Sequence, residues 1–380
     1  VKTMIEKIAK FFKTPFVCTA LAVVLGFMVA CGILLVTGYS ASQSLAIMIN
    51  SIFSRPKFIV NVILKSTPII LTALSVTFAF KTGLFNIGAE GQYIAATIAS
   101  TIVGITFNFH PVIQIPLVIF SGMLAGAIFG GIVGFLKSKF GINEVLTSIM
   151  FNWIAFYLCN YVVTLEAFHK PESDGTFPIN PSGFTLFLND WKFSDAGREF
   201  LRSNPFLNDV ILKTDFNLNF LIAVLMAVLT WAILYKTKKG YEFRVAGISP
   251  DAAENAGINV QRNILYTMMI SGALSGLAGA LSITGTSIHG IQTLAVFENY
   301  GFNGLSVALI AGSSPIGCIF SGLMFSGLIY SGQSLQFKIG VPSEIVNIMI
   351  GIIVFFVALV RIIPSFINKF LEKREKLNAK

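Results

Sequence analysis

One carboxylate lies inside an apolar stretch, with amide side chains on either side of it. Glu90 comes four residues after Asn86 and two before Gln92. Residues four apart share a face of an α-helix, so Asn86 and Glu90 are predicted to lie side by side. Glycine tolerates unusual backbone angles, so a helix break is favoured here by nearby glycines. These are Gly83, Gly88 and Gly91.

A buried carboxylate of this kind has two interpretations. An ionisable group at membrane depth costs free energy unless it faces protein or a water-filled path. Glu90 and Asn86 therefore either brace a neighbouring helix or a broken backbone, or they contact a polar solute that passes. The sequence leaves both interpretations open.

A second polar group occurs late in the chain, where Asn299 and Asn303 are again four residues apart and Glu298 precedes them. Lining of a pathway and helix packing both explain these amides. The neighbouring Tyr300 and Phe302 could stack on a ring-shaped solute or simply pack. We predict a substrate pathway lined by Phe85, Asn86, Glu90, Gln92, Asn299, Phe302 and Asn303.

The two polar segments also resemble each other. Residues 81–92 and 298–306 share glycine, phenylalanine and asparagine, and they occupy comparable places in the two halves of the chain. This pattern is typical of an internal repeat with a transport path between the halves.

The sequence contains none of the catalytic or metal-binding motifs that we considered. The histidines His110, His169 and His289 are far apart, and none has a cysteine or carboxylate at ligand spacing. No Gly-x-Ser-x-Gly elbow, His-Glu-x-x-His helix or Gly-x-x-x-x-Gly-Lys-Ser/Thr loop occurs. We therefore expect no catalytic residue, no metal and no cofactor. If ATP drives this protein, another subunit binds the ATP.

The elements that position these residues are predicted to be transmembrane helices. The chain is 54% hydrophobic and 12% charged, whereas charged residues make up about a quarter of soluble domains. We predict an all-α polytopic membrane protein, one transmembrane domain over 1–380, with about ten spans. The spans are near 16–38, 60–80, 85–107, 112–136, 142–164, 219–235, 263–284, 297–312, 316–333 and 344–363.

The net charge of +9 sits in short segments beside the apolar runs. Lysines and arginines of this kind mark cytoplasmic loops. They place both termini and the 236–262 loop inside the cell, and the polar 165–218 insert outside. No basic patch alternates with exposed aromatics, so nucleic acid is not an expected partner.

Two glycine series are predicted to be helix contact ridges. They are Gly122, Gly126, Gly130 and Gly134, and Gly272, Gly276 and Gly279.

The inner loop contains a short predicted helix. Ser249 can cap it, Pro250 suits its first turn, and Asp251 favours its positive end. Gly257 ends it. Ala252, Ala253 and Ala256 are predicted to offer a small apolar face, which would suit docking of a soluble partner.

The loop carries a family resemblance. Residues 251–257, Asp-Ala-Ala-Glu-Asn-Ala-Gly, resemble the Glu-Ala-Ala-x-x-x-Gly coupling loop of permease subunits in bacterial ATP-binding-cassette (ABC) importers. Residues 244–247 and 256–258 resemble the branched-chain amino acid, ribose and nucleoside branch. Residues 83–92 and 301–310 are more similar to nucleoside permeases than to sugar permeases.

The resemblance implies a type II-like importer in the bacterial inner membrane. Its expected partners are cytoplasmic ABC ATPase subunits, a second and different permease chain, an external substrate-binding lipoprotein and the lipid bilayer. The residues implied to couple to the ATPase are Arg244, Gly247, Pro250, Asp251, Ala252, Ala253, Glu254 and Gly257.

Import of nucleosides is the function that this resemblance favours. A sugar or branched-chain amino acid permease is the first alternative. An ion-coupled secondary transporter would also show broken helices and a midplane acid, but it does not require a capped helix in the inner loop. A membrane enzyme would need converging titratable groups, which the sequence does not offer.

Overall fold

The computed structural model describes residues 15–186, 188–286 and 288–360. The basic residues expected at the cytoplasmic termini, 2–13 and 369–380, lie outside this part of the chain. The described residues form helices joined by turns and loops, and their β-bridges are isolated ones. The predicted all-α class is confirmed.

Sixteen α-helices are numbered here in chain order. The first eight are α1 (Pro15–Val36), α2 (Ala41–Phe53), α3 (Pro56–Lys81), α4 (Ala89–Thr106), α5 (Pro111–Phe140), α6 (Glu144–Thr164), α7 (Asn189–Phe193) and α8 (Asp195–Ser203). The others are α9 (Pro205–Leu207), α10 (Asn219–Lys236), α11 (Lys238–Ile248), α12 (Pro250–Asn255), α13 (Val260–Gly285), α14 (Tyr300–Ile310), α15 (Pro315–Ile339) and α16 (Ser343–Val360).

Each of the ten predicted spans coincides with a helix. Among the described residues, six helices are long and apolar enough to cross a membrane: α3, α5, α6, α10, α13 and α15. The other four predicted spans are α1, α4, α14 and α16. Of these, α14 has only 11 residues, so it is too short to cross a hydrocarbon layer of about 30 Å as a helix alone.

Backbone contacts divide the described chain into two compact units. One combines the described parts of Val1–Ser54 and Gly327–Lys380, and the other is Arg55–Ser326. In the first unit, α1 packs along α16, and its core contains Leu34, Leu335 and Met349. The second unit contains every predicted site residue. The expectation of one domain over 1–380 stays a prediction.

The predicted glycine ridges meet each other in the second unit. A Cβ on Gly126 of α5 would lie 2.8 Å from Gly276 Cα of α13, and one on Gly272 would lie 2.9 Å from Gly126 C. Any side chain here would collide with backbone, which cannot move aside without separating the helices. The ridges therefore let α5 and α13 pack with their backbones in contact, as predicted.

The 165–218 insert is a mostly irregular segment tied to the ends of the long helices. Asn180 Nδ2 donates to the carbonyls of Gly104 (3.0 Å), Ile105 (3.0 Å) and Phe107 (2.8 Å), so it satisfies the open carbonyl end of α4. Lys192 is buried and donates to Thr214 O at 2.8 Å. Burial lowers the pKa of its ammonium group. The insert thus covers one end of the helices.

We predict that Gly126→Ala destabilises the protein by about 1–3 kcal/mol, because the added methyl meets backbone atoms of α13. Thermal unfolding of the purified chain in detergent measures this. Gly131→Ala on the same helix is the matched control, since its methyl would meet only the flexible Met269 side chain, with Cγ at 3.0 Å. Equal melting temperatures for the two variants would contradict the contact.

Candidate functional site

The connection between α3 and α4 carries the first polar group. Helix α3 ends at Lys81, Gly83 adopts a positive φ of 78°, and α4 begins at Ala89. The predicted helix break is therefore present. Asn86 lies in the connection and not on a helix, so the prediction that Asn86 and Glu90 share a helical face was wrong. The glycine-rich turn places Asn86 beside Gln92 instead.

Asn86 is the centre of a buried amide and hydroxyl cluster. Its Nδ2 atom lies 2.7 Å from Ser271 Oγ of α13, 2.9 Å from Gln92 Oε1 of α4 and 3.2 Å from Ser75 Oγ of α3. Gln92 Nε2 in turn donates to Asn86 Oδ1 at 3.2 Å. Asn86 is 0% and Gln92 2% exposed. One asparagine therefore ties three helices together.

Glu90 holds the start of α14. Its Oε1 accepts from Asn299 N at 2.7 Å and its Oε2 accepts from Gly301 N at 2.6 Å, while the side chain is 0% exposed. The first N–H groups of a helix lack partners within it and carry partial positive charge. A carboxylate satisfies both requirements. The residues of the two predicted polar segments thus meet directly.

The backbone around this contact has little freedom. Asn299 adopts the left-handed conformation with φ 67°, a region that asparagine tolerates better than most residues. A Cβ on Gly301 would lie 2.5 Å from Glu90 Cα, so a side chain larger than hydrogen would push α4 and α14 apart. Glycine at 301 is a condition for the carboxylate to reach the helix start.

The other predicted pathway residues are more accessible. Asn299 is exposed, and Phe85, Phe302 and Asn303 are half-buried. Phe302 packs edge-on against Phe297, with centroids 5.8 Å apart. The buried positions of Asn86, Glu90 and Gln92 fit the bracing interpretation. Contact of the predicted set with a solute stays a prediction.

The predicted coupling segment consists of two short helices. Ser249 caps α12, where its Oγ accepts from Ala252 N at 3.4 Å, and Gly257 follows the helix with φ 76°. Pro250, Asp251, Ala252 and Glu254 are exposed. Ala253 is 0% exposed and packs on Ala246 and Val260, so its predicted place on an exposed apolar face was wrong. A six-residue helix seated on its neighbours must turn one side inward.

The coupling segment touches the α3–α4 connection. A Cβ on Gly247 of α11 would lie 2.6 Å from Gly83 N, and one on Gly83 would lie 2.5 Å from Gly247 Cα. The two backbones are in direct contact, with no side chain between them. Gly247 therefore adjoins the connection that carries Asn86. Arg244 lies on the same helix, with its guanidinium 5.0 Å from the centroid of the Tyr235 ring.

A cavity with polar and apolar groups in its wall, at the start of α3 and the end of α13, was not predicted. It encloses about 160 Å³, and its wall includes Lys65, Asp215, Asn219 and Tyr300. Lys65 inside a predicted span was the signal that could have revealed it, since lysine is rare at membrane depth. The residues from 215 to 219 gave no signal because they lie at the end of an irregular insert. No group of three potential metal-ligating side chains occurs among the described residues.

We predict that Glu90→Gln lowers stability by about 1–3 kcal/mol, because the neutral amide has one acceptor oxygen for two backbone N–H groups. Thermal unfolding in detergent measures the loss. Glu199→Gln, at an exposed position in the insert, is the control and should change little. A Glu90→Gln protein as stable as wild type would mean that the carboxylate does not hold α14.

Comparison with known proteins places the chain among transport proteins. It is 35% identical over 338 residues to the guanosine ABC transporter permease protein NupP of Bacillus subtilis (strain 168), covering 89% of this chain and 91% of the relative. It is 33% identical over 350 residues to the nucleoside ABC transporter permease protein NupB of Lactococcus lactis subsp. cremoris (strain MG1363), covering 92% of each.

A third relative has a different solute in its name. The glucose ABC transporter permease protein TsgB13 of Haloferax volcanii is 29% identical over 297 residues, covering 78% of this chain and 74% of the relative. Bacillus subtilis and Lactococcus lactis each contribute a second matching permease at 27% identity. No solved structure matches.

Residues 58–358 match the sequence profile of a family described as the branched-chain amino acid transport system permease component. The matched range includes both polar segments, the coupling segment and the cavity. This chain belongs to that family of multi-pass membrane permeases.

Proposed function

We propose that the chain is a permease subunit of an ABC importer that moves nucleosides, purine or pyrimidine ribosides, into the cell. The observation that carries this proposal is similarity at 33–35% identity, over about nine-tenths of the chain, to permeases named for guanosine and nucleoside. In this role the chain forms the path and separate subunits hydrolyse ATP.

The coupling segment gives the ATPase a surface to bind. Asp251 and Glu254 are exposed on α12, where they can pair with basic or polar groups of an ATPase cleft. The backbone contact of Gly247 with Gly83 gives a short route from that surface to the connection that holds Asn86. Closure of the ATPase would then move a connection between membrane helices and not merely a surface loop.

The pathway that we propose separates bracing residues from lining residues. Asn86, Glu90 and Gln92 are buried and brace the helices, whereas Asn299, Phe302 and Asn303 offer an amide-rich, aromatic surface. A nucleoside has hydroxyl groups and a flat polar base, so neutral hydrogen-bonding groups and aromatic rings suit it. Phe85, which precedes Asn86 in sequence, is half-buried and packs on Phe80 with ring centroids 4.8 Å apart.

The remaining partners follow from the same proposal. Two matching permeases in each of two bacteria support a heterodimer of this chain with a second, different permease. An external lipoprotein would deliver the solute to the end that carries the 165–218 insert. The α12 end then faces the cytoplasm of a bacterial cell, together with both termini. Glucose in the name of one relative keeps a sugar as the alternative solute.

Reconstitution into liposomes with the second permease, the ATPase and the binding protein tests the function. We predict ATP-dependent uptake of radiolabelled uridine, adenosine or guanosine. We also predict that Glu254→Lys lowers uptake at least tenfold and weakens copurification of the ATPase, because the exposed reversed charge opposes basic groups in the ATPase cleft.

The charge reversal has a matched control. Glu199→Lys makes the same exchange at an exposed position in the insert and should leave ATPase copurification intact. Uptake of nucleosides without an ATPase would favour a secondary transporter. Uptake of glucose or leucine but of no nucleoside would overturn the assigned solute. An ATPase that binds Glu254→Lys normally would overturn the role and the cytoplasmic orientation of α12.

A further inference from the structure

The cavity is built where four elements converge. Helix α3 contributes its second to fourth turns, α13 its last turns, α14 its first residue, and the end of the insert leads into α10. The lining residues are Asn61, Leu64, Lys65, Thr67, Pro68, Asp215, Asn217, Asn219, Leu281, Ser282, Gly285, Thr286 and Tyr300. A water needs about 10–15 Å³ of such space, so about 160 Å³ admits a much larger solute.

The cavity wall is held in place by hydrogen bonds of its own. Asn219 Nδ2 donates to Leu281 O at 3.0 Å, and Asn217 Nδ2 donates to Gly285 O at 2.8 Å. Asn217 Oδ1 also accepts from Asn219 N at 3.1 Å. These bonds fix the chain entering α10 against the end of α13. The cavity is therefore a shaped space before any ligand enters it.

The accessible part of the wall is suited to a neutral hydroxylated solute. Asp215, Asn61 and Ser282 line the cavity and are half-buried, so they are partly shielded from bulk water, and Ser282 Oγ donates to Ala278 O at 3.0 Å. A carboxylate accepts hydrogen bonds from two neighbouring hydroxyl groups, as acidic residues do with the ribose of dinucleotides. The hydroxyl and amide groups of the wall can donate as well as accept.

The charges of the wall balance. Among the described residues that line the cavity, Lys65 is the one lysine and Asp215 the one carboxylic acid. A phosphorylated solute would place two negative charges beside the Asp215 carboxylate, with one lysine to offset them. A neutral solute meets no such repulsion. The cavity therefore favours a nucleoside over a nucleotide.

One side of the cavity is formed by the residue that Glu90 positions. Tyr300 is the first residue of α14. It lies between Asn299 and Gly301, whose N–H groups donate hydrogen bonds to Glu90. Its carbonyl accepts from Thr72 Oγ1 at 2.9 Å, and its ring packs on Tyr93 with centroids 5.0 Å apart. A solute in the cavity thus touches the start of α14 directly. Leu64 and Tyr300, which line the cavity and are half-buried, offer apolar surface for a base.

We propose that this cavity binds the sugar of the transported nucleoside, with Asp215 accepting hydrogen bonds from the vicinal hydroxyl groups of the ribose. The inference rests on the proposed function, because the ribose is taken to belong to a nucleoside. It assigns Asp215 as a specificity-determining residue. Tyr300 and Leu64 contact the base.

The complete reconstituted transporter tests this with uridine and 2′,3′-dideoxyuridine, which lacks both hydroxyl groups. Wild type is expected to prefer uridine by about tenfold or more in kcat/KM, since hydrogen bonds to a charged group are among the strong ones. Asp215→Asn should lower that preference about tenfold. A purely structural role of Asp215 would reduce uptake of both solutes equally.

Asp209→Asn is the matched control, because Asp209 pairs with Lys213 at 2.7 Å and does not line the cavity. It should keep the wild-type preference. Ser282→Ala is a second variant of the cavity wall, and it should also lower the preference for uridine over dideoxyuridine. It tests the inference even if Asp215→Asn does not fold.

Three results would overturn the inference. Equal uptake of uridine and dideoxyuridine by wild type would show that the cavity does not recognise the ribose hydroxyl groups. An unchanged preference for uridine over dideoxyuridine in folded Asp215→Asn or Ser282→Ala would show that the cavity does not recognise the ribose. Competition of leucine with uridine would indicate that Lys65 and Asp215 bind the two charged groups of an amino acid and not a ribose. Absence of any nucleoside uptake by wild type is a separate result and would overturn the proposed function itself.

Discussion

The contact on which the second unit depends is a buried carboxylate that accepts two backbone N–H groups. Removing the Glu90 carboxyl group from water is costly, and neither oxygen has an ion-pair partner among the described residues. The unpaired N–H groups and positive end of α14 offset that cost. The contact requires a left-handed Asn299 and a glycine at 301. It also requires that α4 begin at Ala89, after the break that Gly83 permits.

This contact and the Asn86 cluster connect one set of helices. Asn86 joins α3, α4 and α13 through amide and hydroxyl groups, and Glu90, four residues later, joins α4 to α14. Gly83, three residues before Asn86, touches Gly247 of the coupling segment. Movement of α11 and α12 would therefore reach the start of α14 through this short stretch of backbone. The proposed sugar cavity borders the same helix start.

Sequence patterns predicted the elements better than their mutual contacts. Apolar runs, glycine spacing and the Ser249 cap are local signals, and the helices, the α5–α13 ridge and the α12 start agree with them. Asn86 was misplaced because a break of a few residues changes the face on which every later side chain lies. Ala253 was misplaced because a single helical turn carries too few residues to show which side is buried. The cavity combines residues far apart in sequence, so its one local signal, Lys65 inside a predicted span, could not show which residues surround it.

Pulsed electron paramagnetic resonance can test this route from α12 to α14 by measuring the distance between two spin labels in the assembled transporter. The labels replace Asn255 at the end of α12 and Val296 just before α14, both exposed, in a chain without its native cysteines. We expect the distance to change when ATP is added, and to change much less in Gly247→Ala, whose methyl group collides with the α3–α4 connection. A change of full size in Gly247→Ala, with the ATPase still bound, would show that movement of α12 does not reach α14 through the contact of Gly247 with Gly83.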